Sequence, residues 1–154
     1  AFDTASEVLA QAAGTGFDEA MTARLFRPLG MTSAGMGMAR LTSARDWARP
    51  HNGSAVVPMR EAYWRVPAAA GIDSNIVDFA TWMRASMGLR ADLLPAPILQ
   101  TALQPRVATA RPYGGALRQA LSDAHYGLGW RTFAYNGRTL AGHSGAVAGY
   151  RATM

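Results

Sequence analysis

The hydrophobic period changes near the carboxyl end of the chain, and this change constrains the fold more than any other feature. Residues 128–135 alternate between apolar and polar positions and are rich in Trp, Phe and Thr, a pattern typical of a half-buried strand. Asn136-Gly137 follows, a dipeptide that favours the tight turn of a two-residue hairpin. Residues 138–143 run back as a second strand, and residues 149–154 begin a third. The chain is therefore predicted to end in an antiparallel sheet.

The preceding part of the chain has the period of helices. Helices are predicted over residues 4–13, 17–26, 75–87 and 95–103. The string LFRPLGM ends the second of these, with Pro28 as the stop and Gly30 as the turn. Because the helices come first and the antiparallel strands last, the predicted fold class is α+β and not a series of parallel βαβ units.

The helix over residues 75–87 has the clearest beginning. Asn75 with Asp78 three residues later resembles a capping box. Apolar residues then recur at helical spacing and predict one buried face: Ile76, Phe79, Ala80, Met83 and Met87. The methionines are interpreted as filler in the core, since their flexible side chains fit irregular gaps.

The chain divides into two predicted regions. Residues 1–124 form a mostly helical lobe with a long irregular excursion at 32–67, in which residues 55–57 favour a short strand. Residues 106–123 favour no element, and Gly114-Gly115 marks a break there. Residues 125–154 begin the antiparallel sheet. At its start the string YGLGW is interpreted as structural, with glycines allowing close packing and Trp130 in the core.

Composition excludes several chemistries. With 154 residues and 49% apolar content the chain is long enough to bury one core. It has no cysteine, which excludes disulfides, thiolate catalysis and cysteine-ligated metal. The three histidines, His51, His125 and His143, do not have metal-ligand spacing, and no cofactor is expected. Asp46, Asp73 and Asp78 are interpreted as caps or solvated charges.

The charge and hydropathy of the chain indicate which classes of partner to expect. The formal charge is +5 and every one of the 15 basic residues is arginine, but the arginines are scattered singly, so nucleic acid is not a predicted partner. No apolar run approaches the roughly 20 residues of a membrane helix, so no membrane span is predicted in this chain. The expected partner is a small-molecule or peptide substrate, and the sequence indicates no oligomeric state.

The stretch from Gly142 to Ala146 permits two interpretations. As Gly-His-Ser-Gly-Ala it nearly matches the G-x-S-x-G elbow of α/β-hydrolases, with Ser144 as nucleophile. An elbow requires a helix after the serine and a histidine further along the chain. The following residues favour a strand, and no histidine follows His143. The alternative is that this stretch lines the pocket of a hydrolase whose nucleophile lies elsewhere.

Four strings, in this order, support the second interpretation: LFRPLGM, AAAGIDSNIVDFATWM, YGLGW and HSGAVAGY. Together they span almost the whole chain. The set resembles the serine β-lactamase and penicillin-binding-protein superfamily, in particular its class C-like branch of β-lactamases, D-amino-acid peptidases and esterases. The resemblance implies a β-lactamase/transpeptidase-like fold, here a helical lobe followed by the first strands of an incomplete antiparallel sheet.

The resemblance also implies roles for four residues. His143-Ser144-Gly145 resembles the third motif of the superfamily, which reads Lys-Thr-Gly or His-x-Gly on a strand beside the nucleophile. His143 would then be a catalytic and substrate-binding residue, with a potentially cationic side chain that favours a carboxylate. Ser144 and Gly145 would contact substrate, and the backbone N–H of Ala146 would be an oxyanion-hole donor.

Two motifs of the superfamily are absent. Without any lysine the chain has no Ser-x-x-Lys nucleophile motif, and none of its tyrosines is followed by x-Asn. We therefore expect a fragment of a serine hydrolase that forms an acyl-enzyme from a lactam, an ester or a D-amino-acid amide, with the nucleophile encoded upstream and no activity in the chain alone. The resemblance implies a periplasmic or secreted bacterial enzyme. The alternatives are an esterase with Ser144 as nucleophile and a relative that binds ligand without catalysis.

Overall fold

The computed structural model describes residues 2–110 and 119–154. Within them, seven α-helical segments are α1 Phe2–Ala13, α2 Phe17–Met21, α3 Arg27–Leu29, α4 Met38–Ser43, α5 Pro67–Ala70, α6 Ile76–Arg84 and α7 Ala96–Leu103. A π-helical turn, Thr22–Phe26, joins α2 to α3, another, Ala85–Leu89, extends α6, and a 3-10 helix spans Glu61–Arg65. The break predicted at Gly114-Gly115 lies outside the described residues.

Ten short strands complete the described part: β1 Gly35–Met36, β2 His51–Asn52, β3 Ala55–Val56, β4 Ile72–Asp73, β5 Val107–Ala108, β6 Ser122–Tyr126, β7 Arg131–Tyr135, β8 Arg138–Gly142, β9 Ser144–Val147 and β10 Tyr150–Thr153. β5-β6-β7-β8 form a four-stranded antiparallel sheet. Three separate two-stranded antiparallel pairs are β1-β4, β2-β3 and β9-β10. The architecture is α+β with a small, incomplete sheet, as predicted.

The core of the helical lobe forms around the string LFRPLGM. Phe26, Leu29 and Met31 are buried together with Ala85, the first residue of the π-helical turn after α6. Pro28 does not end the helix as predicted; it lies inside α3, where its fixed φ suits the first turn. Gly30 ends it, with φ of 75°, and the N–H of Met31 then donates to the carbonyl of Phe26 at 2.8 Å. This left-handed glycine turns Met31 back into the core.

The predicted cap of α6 is present. The Asn75 side chain accepts a hydrogen bond from the N–H of Asp78 at 2.8 Å. The interpretation of Asp78 as a solvated charge is wrong, because its carboxylate is buried and accepts from the N–H groups of Ser33 and Ala34 at 2.7 and 2.8 Å. Asp78 thus ties the start of α6 to the segment before β1.

The predicted apolar face of α6 exists, but it is not core. Ile76 is 78% exposed and Met87 75% exposed, so the interpretation of the methionines as core filler is wrong. The opposite side of the helix is the buried one, where Trp82 and Ala85 pack against the lobe. Periodicity identifies an apolar stripe, whereas burial depends on what packs against it.

The hairpin of β7 and β8 forms as its pattern predicts, whereas β5 and β6 were not predicted and the predicted third strand, now β10, pairs with β9 outside this sheet. Asn136 and Gly137 have φ of 47° and 72°, the left-handed values that a tight hairpin requires, and they pair Tyr135 with Arg138. β7 begins at Arg131, three residues later than predicted. The preceding residues, up to Trp130, contain a turn in which Gly129 has φ of 79°.

The YGLGW string packs closely against α7. A Cβ at Gly127 would lie 2.5 Å from the carbonyl oxygen of Ala102, and the N–H of Leu128 donates to that same oxygen at 2.9 Å. The structural interpretation of the glycines is therefore confirmed for Gly127. Trp130 is half-buried and does not belong to the small buried cluster of this region, which comprises Leu121, Ala124 and Phe133.

Candidate active site

The site predicted from sequence begins where the chain leaves the four-stranded sheet. β8 runs through His143 directly into β9, and β10 returns beside β9 and not beside β8. The backbones of His143 and Met154 exchange two hydrogen bonds, of 3.2 and 3.0 Å. A side chain at Gly142 would lie 2.6 Å from the carbonyl oxygen of Met154, so the crossing of the two segments requires glycine there.

The register of β9 and β10 determines which backbone groups remain available. In an antiparallel pair, residues with mutual hydrogen bonds alternate with residues whose N–H and C=O point away from the partner. Because His143 and Met154 form a bonded pair, the pairs Ser144 with Thr153 and Ala146 with Arg151 are non-bonded ones. The N–H of Ala146 therefore points away from β10, toward an edge of β9 that no strand of the described residues covers.

Three hydrogen bonds attach the β9-β10 hairpin to the helical lobe. The Tyr150 hydroxyl donates to the carbonyl of Ala48 at 2.7 Å. The N–H of His51 donates to the carbonyl of Gly149 at 3.1 Å, and the N–H of Ala148 donates to the Tyr63 hydroxyl at 2.9 Å. The hairpin is thus oriented by contacts from the irregular excursion of the lobe.

A large open cavity lies between the hairpin and the lobe. Its volume is about 1180 Å³. The lobe contributes the apolar stripe of α6, including the exposed Ile76 and Met83 and the partly buried Phe79, and the hairpin contributes Gly145 and Ala146. Of the four residues predicted for the site, Gly145 and Ala146 line this cavity, whereas His143 and Ser144 lie next to it in sequence but are not among its lining residues.

A polar cluster lines the cavity on the lobe side. Asp73 accepts hydrogen bonds from Trp64 Nε1 at 3.0 Å and from Arg40 at 3.2 Å. Burial raises the pKa of the Asp73 carboxyl, against the lowering effect of the Trp64 and Arg40 donors. The interpretation of Asp73 as a cap or solvated charge is therefore wrong. Burial also raises the pKa of the nearby Tyr150 hydroxyl, with a contribution from the negative charge of Asp73.

The ring of His143 lies against the four-stranded sheet. Its Nε2 is 3.0 Å from the Tyr126 hydroxyl, and the two rings meet edge to face with centroids 5.8 Å apart. Burial lowers the pKa of His143, and the positive charge of Arg131 lowers it further. The surroundings thus favour the neutral imidazole over the cationic form that the motif left open.

We expect His143 to make the stability of the chain dependent on pH. The pKa of His143 in the folded chain lies below the ordinary value of 6.5. On acidification the unfolded chain therefore takes up this proton at a higher pH than the folded chain does. The free energy of unfolding consequently falls as the pH drops below about 6.5. In urea unfolding at pH 7.5 and 5.5, the stability difference between the chain and H143Q should narrow on acidification. The exposed His51 provides the control, since H51Q should lose as much stability between pH 7.5 and 5.5 as the unmodified chain does. If H143Q lost as much stability on acidification as the unmodified chain, the role of His143 would be contradicted.

The rings of the other two histidines lie close to backbone carbonyls two residues earlier in the chain. His51 Nδ1 lies 2.6 Å from the carbonyl of Arg49, and His125 Nδ1 lies 3.1 Å from the carbonyl of Asp123. Within residues 2–110 and 119–154, no group of three or more His, Asp or Glu side chains could hold a metal ion. No helix of that part is long and apolar enough to cross a membrane.

The local geometry departs from a nucleophile elbow. Ser144 begins the strand β9 and is followed by a hairpin, whereas an elbow places its serine at a sharp turn into a helix. Sequence reasoning missed the side chains that orient this region, namely Tyr126, Tyr63, Trp64 and Tyr150. Two of them lay in strings singled out from the sequence, Tyr126 at the start of YGLGW and Tyr150 at the end of HSGAVAGY.

Comparisons with known proteins agree with this architecture. The beta-lactamase family model matches residues 1–154. A solved structure, that of the octameric penicillin-binding protein homologue from Pyrococcus abyssi, superposes with a TM-score of 0.79 at 18% identity. The alignment covers 96% of this chain and 32% of that one, so the chain spans about a third of that protein's length, and the likeness concerns the fold. No match is found among curated proteins.

Proposed function

The chain belongs to the beta-lactamase family, and from this premise we propose that it forms part of a class C-like serine hydrolase that works through an acyl-enzyme. In this proposal an upstream serine attacks the carbonyl of a lactam, an ester or a D-amino-acid amide, and water later releases the acyl group. The chain supplies one wall of the cleft and none of the nucleophilic machinery, because it has no Ser-x-x-Lys motif. A periplasmic or secreted location belongs to the same proposal.

One observation carries the proposal. Ala146 lines the cavity and, by the register of the hairpin, directs its N–H away from β10. A backbone N–H at the uncovered edge of a strand can donate to the negative charge that develops on an attacked carbonyl oxygen. The position of this donor is defined by the contacts that hold the hairpin to the lobe at Tyr63, Ala48 and His51.

The exposed apolar stripe of α6 is consistent with an incomplete cleft. Ile76, Phe79 and Met83 form an apolar wall facing the cavity, where an acyl chain or a further segment of the protein would bury them. The shape of the cavity and its apolar side favour a small-molecule or peptide substrate.

Hydrolysis assays test the proposal. A chromogenic β-lactam and a short p-nitrophenyl ester are offered to the 154-residue chain and to the longer product encoded when the flanking DNA is included. We expect turnover by the longer product alone, retained after Ser144→Ala. Turnover by the 154-residue chain that Ser144→Ala abolishes would favour the esterase with Ser144 as nucleophile. Binding without turnover by the longer product would favour the non-catalytic relative.

A further inference from the structure

The hydrogen bond between Tyr126 and His143 has an identifiable donor. The Tyr126 hydroxyl and the His143 Nε2 lie 3.0 Å apart, so one of the two donates the proton that they share. If Nε2 carried the hydrogen, the hydroxyl would accept it, and the hydroxyl proton would need another acceptor. The described residues provide no second hydrogen-bond partner for that hydroxyl. A hydroxyl that donates to an unprotonated Nε2 satisfies both groups.

The Tyr126 ring is itself fixed in place. Tyr126 and Arg131 are direct partners in the register of β6 and β7, and the Arg131 guanidinium lies over the ring at 5.4 Å from its centroid. Phe2 packs on the ring at a centroid distance of 6.4 Å. Gly142 occupies the position opposite Arg131 on β8, directly before His143. The hydroxyl is thus held by the sheet at the point where the chain passes into β9.

The positive charge of Arg131 disfavours a second proton on the His143 ring, as does its partial burial. Tyr126 and Arg131 are the titratable and charged side chains that the described structure places in interaction with the ring. A neutral imidazole with Nε2 occupied by a donor carries its single hydrogen on Nδ1.

We propose that Tyr126 is a positioning residue that holds His143 as the neutral Nδ1–H tautomer, so that the ring offers a hydrogen-bond donor and not a cation. Within the proposed function, on which this consequence rests, a neutral His143 would bind a free carboxylate less strongly than the cationic form of the motif would. A lone carboxylate is bound more strongly by a charged donor than by a neutral one.

The test is histidine ring nitrogen NMR on the 154-residue chain at a pH above the His143 transition. Only three histidines are present, so His51 and His125 serve as internal references. We expect the Nδ1–H tautomer at His143, and a change toward the Nε2–H form, which free imidazole side chains prefer, in Tyr126→Phe. Tyr135→Phe is the control, since Tyr135 lies exposed at the far end of β7 and should leave the tautomer unchanged.

Arg131→Gln provides a second variant that separates charge from hydrogen bonding. It should raise the pKa of His143 yet leave the Nδ1–H tautomer above the transition. An Nε2–H tautomer in the unmodified chain would overturn the proposal, as would an unchanged tautomer in Tyr126→Phe with a folded amide spectrum. The readout needs no substrate, so hydrolysis assays that fail while the Nδ1–H tautomer is observed would overturn the proposed function alone.

Discussion

Gly149→Ala is expected to destabilise the folded chain by about 2–5 kcal/mol and to detach the β9-β10 hairpin from the lobe. Gly149 has φ of 83°, a conformation that costs an L side chain about 1–2 kcal/mol. A Cβ there would overlap the Cβ of Pro50 and lie 2.7 Å from the backbone N of His51. Neither a proline ring nor a hydrogen-bonded backbone can move aside easily, so overpacking adds its own cost of about 1–3 kcal/mol.

Urea unfolding measures the total effect, and Gly53→Ala is the matched control. Gly53 also has a left-handed φ, of 60°, but a Cβ there would meet nothing within 4 Å. We expect only the conformational cost in the control, about 1–2 kcal/mol. Hydrogen exchange should show the loss of protection at the N–H groups of His51 and Ala148 in the Gly149 variant. Equal destabilisation by the two substitutions would contradict the close contact with Pro50.

The elements predicted correctly from sequence are those whose information is local. The Asn75 cap and the turn at Asn136-Gly137 each depend on residues within a few positions along the chain. Side-chain capping and left-handed turn residues act over three or four residues, and tertiary context rarely overrides them. The α+β class follows from the same local signals, added along the chain.

Properties set by distant partners could not be predicted in this way. The burial of Asp78 depends on N–H groups of Ser33 and Ala34, more than 40 residues earlier. Pairing of β10 with β9 depends on a crossing allowed by Gly142, where the expectation was a simple third strand. Exposure of the α6 stripe likewise depends on what packs against it, which periodicity does not encode.

In the candidate site, too, some features follow from the local sequence and others depend on distant residues. The motif located residues 143–146, and the structure places Gly145 and Ala146 at the cavity. The surroundings of His143 depend on Tyr126 and Arg131 from two neighbouring strands. Burial and the charge of Arg131 lower the pKa of His143, and the Tyr126 hydroxyl contacts its Nε2. Charge at a titratable residue is a property of its neighbours, so the motif alone indicated only a potentially cationic side chain, whereas the structure favours a neutral ring.

Replacing Ala146 by proline in the longer hydrolase that we propose is expected to lower kcat by about 10²–10³-fold, the usual loss when one oxyanion-hole donor is removed. Proline lacks the backbone N–H that Ala146 would offer to the developing oxyanion. Because Ala146 and Arg151 form a non-bonded pair, the substitution removes no hydrogen bond between β9 and β10. Proline is tolerated at such edge positions, so the fold should survive while the donor is lost.

Ala146→Gly separates the N–H from the side chain, since it keeps the donor and removes only a methyl group. Its kcat is expected to stay within a few-fold of the unmodified hydrolase, whereas the proline variant loses turnover with little change in substrate binding, because the donor acts on charge that develops only in the transition state. Thermal unfolding of both variants checks the fold. A folded proline variant with undiminished kcat would exclude Ala146 as the donor, and a glycine variant as impaired as proline would assign the effect to the lost methyl group.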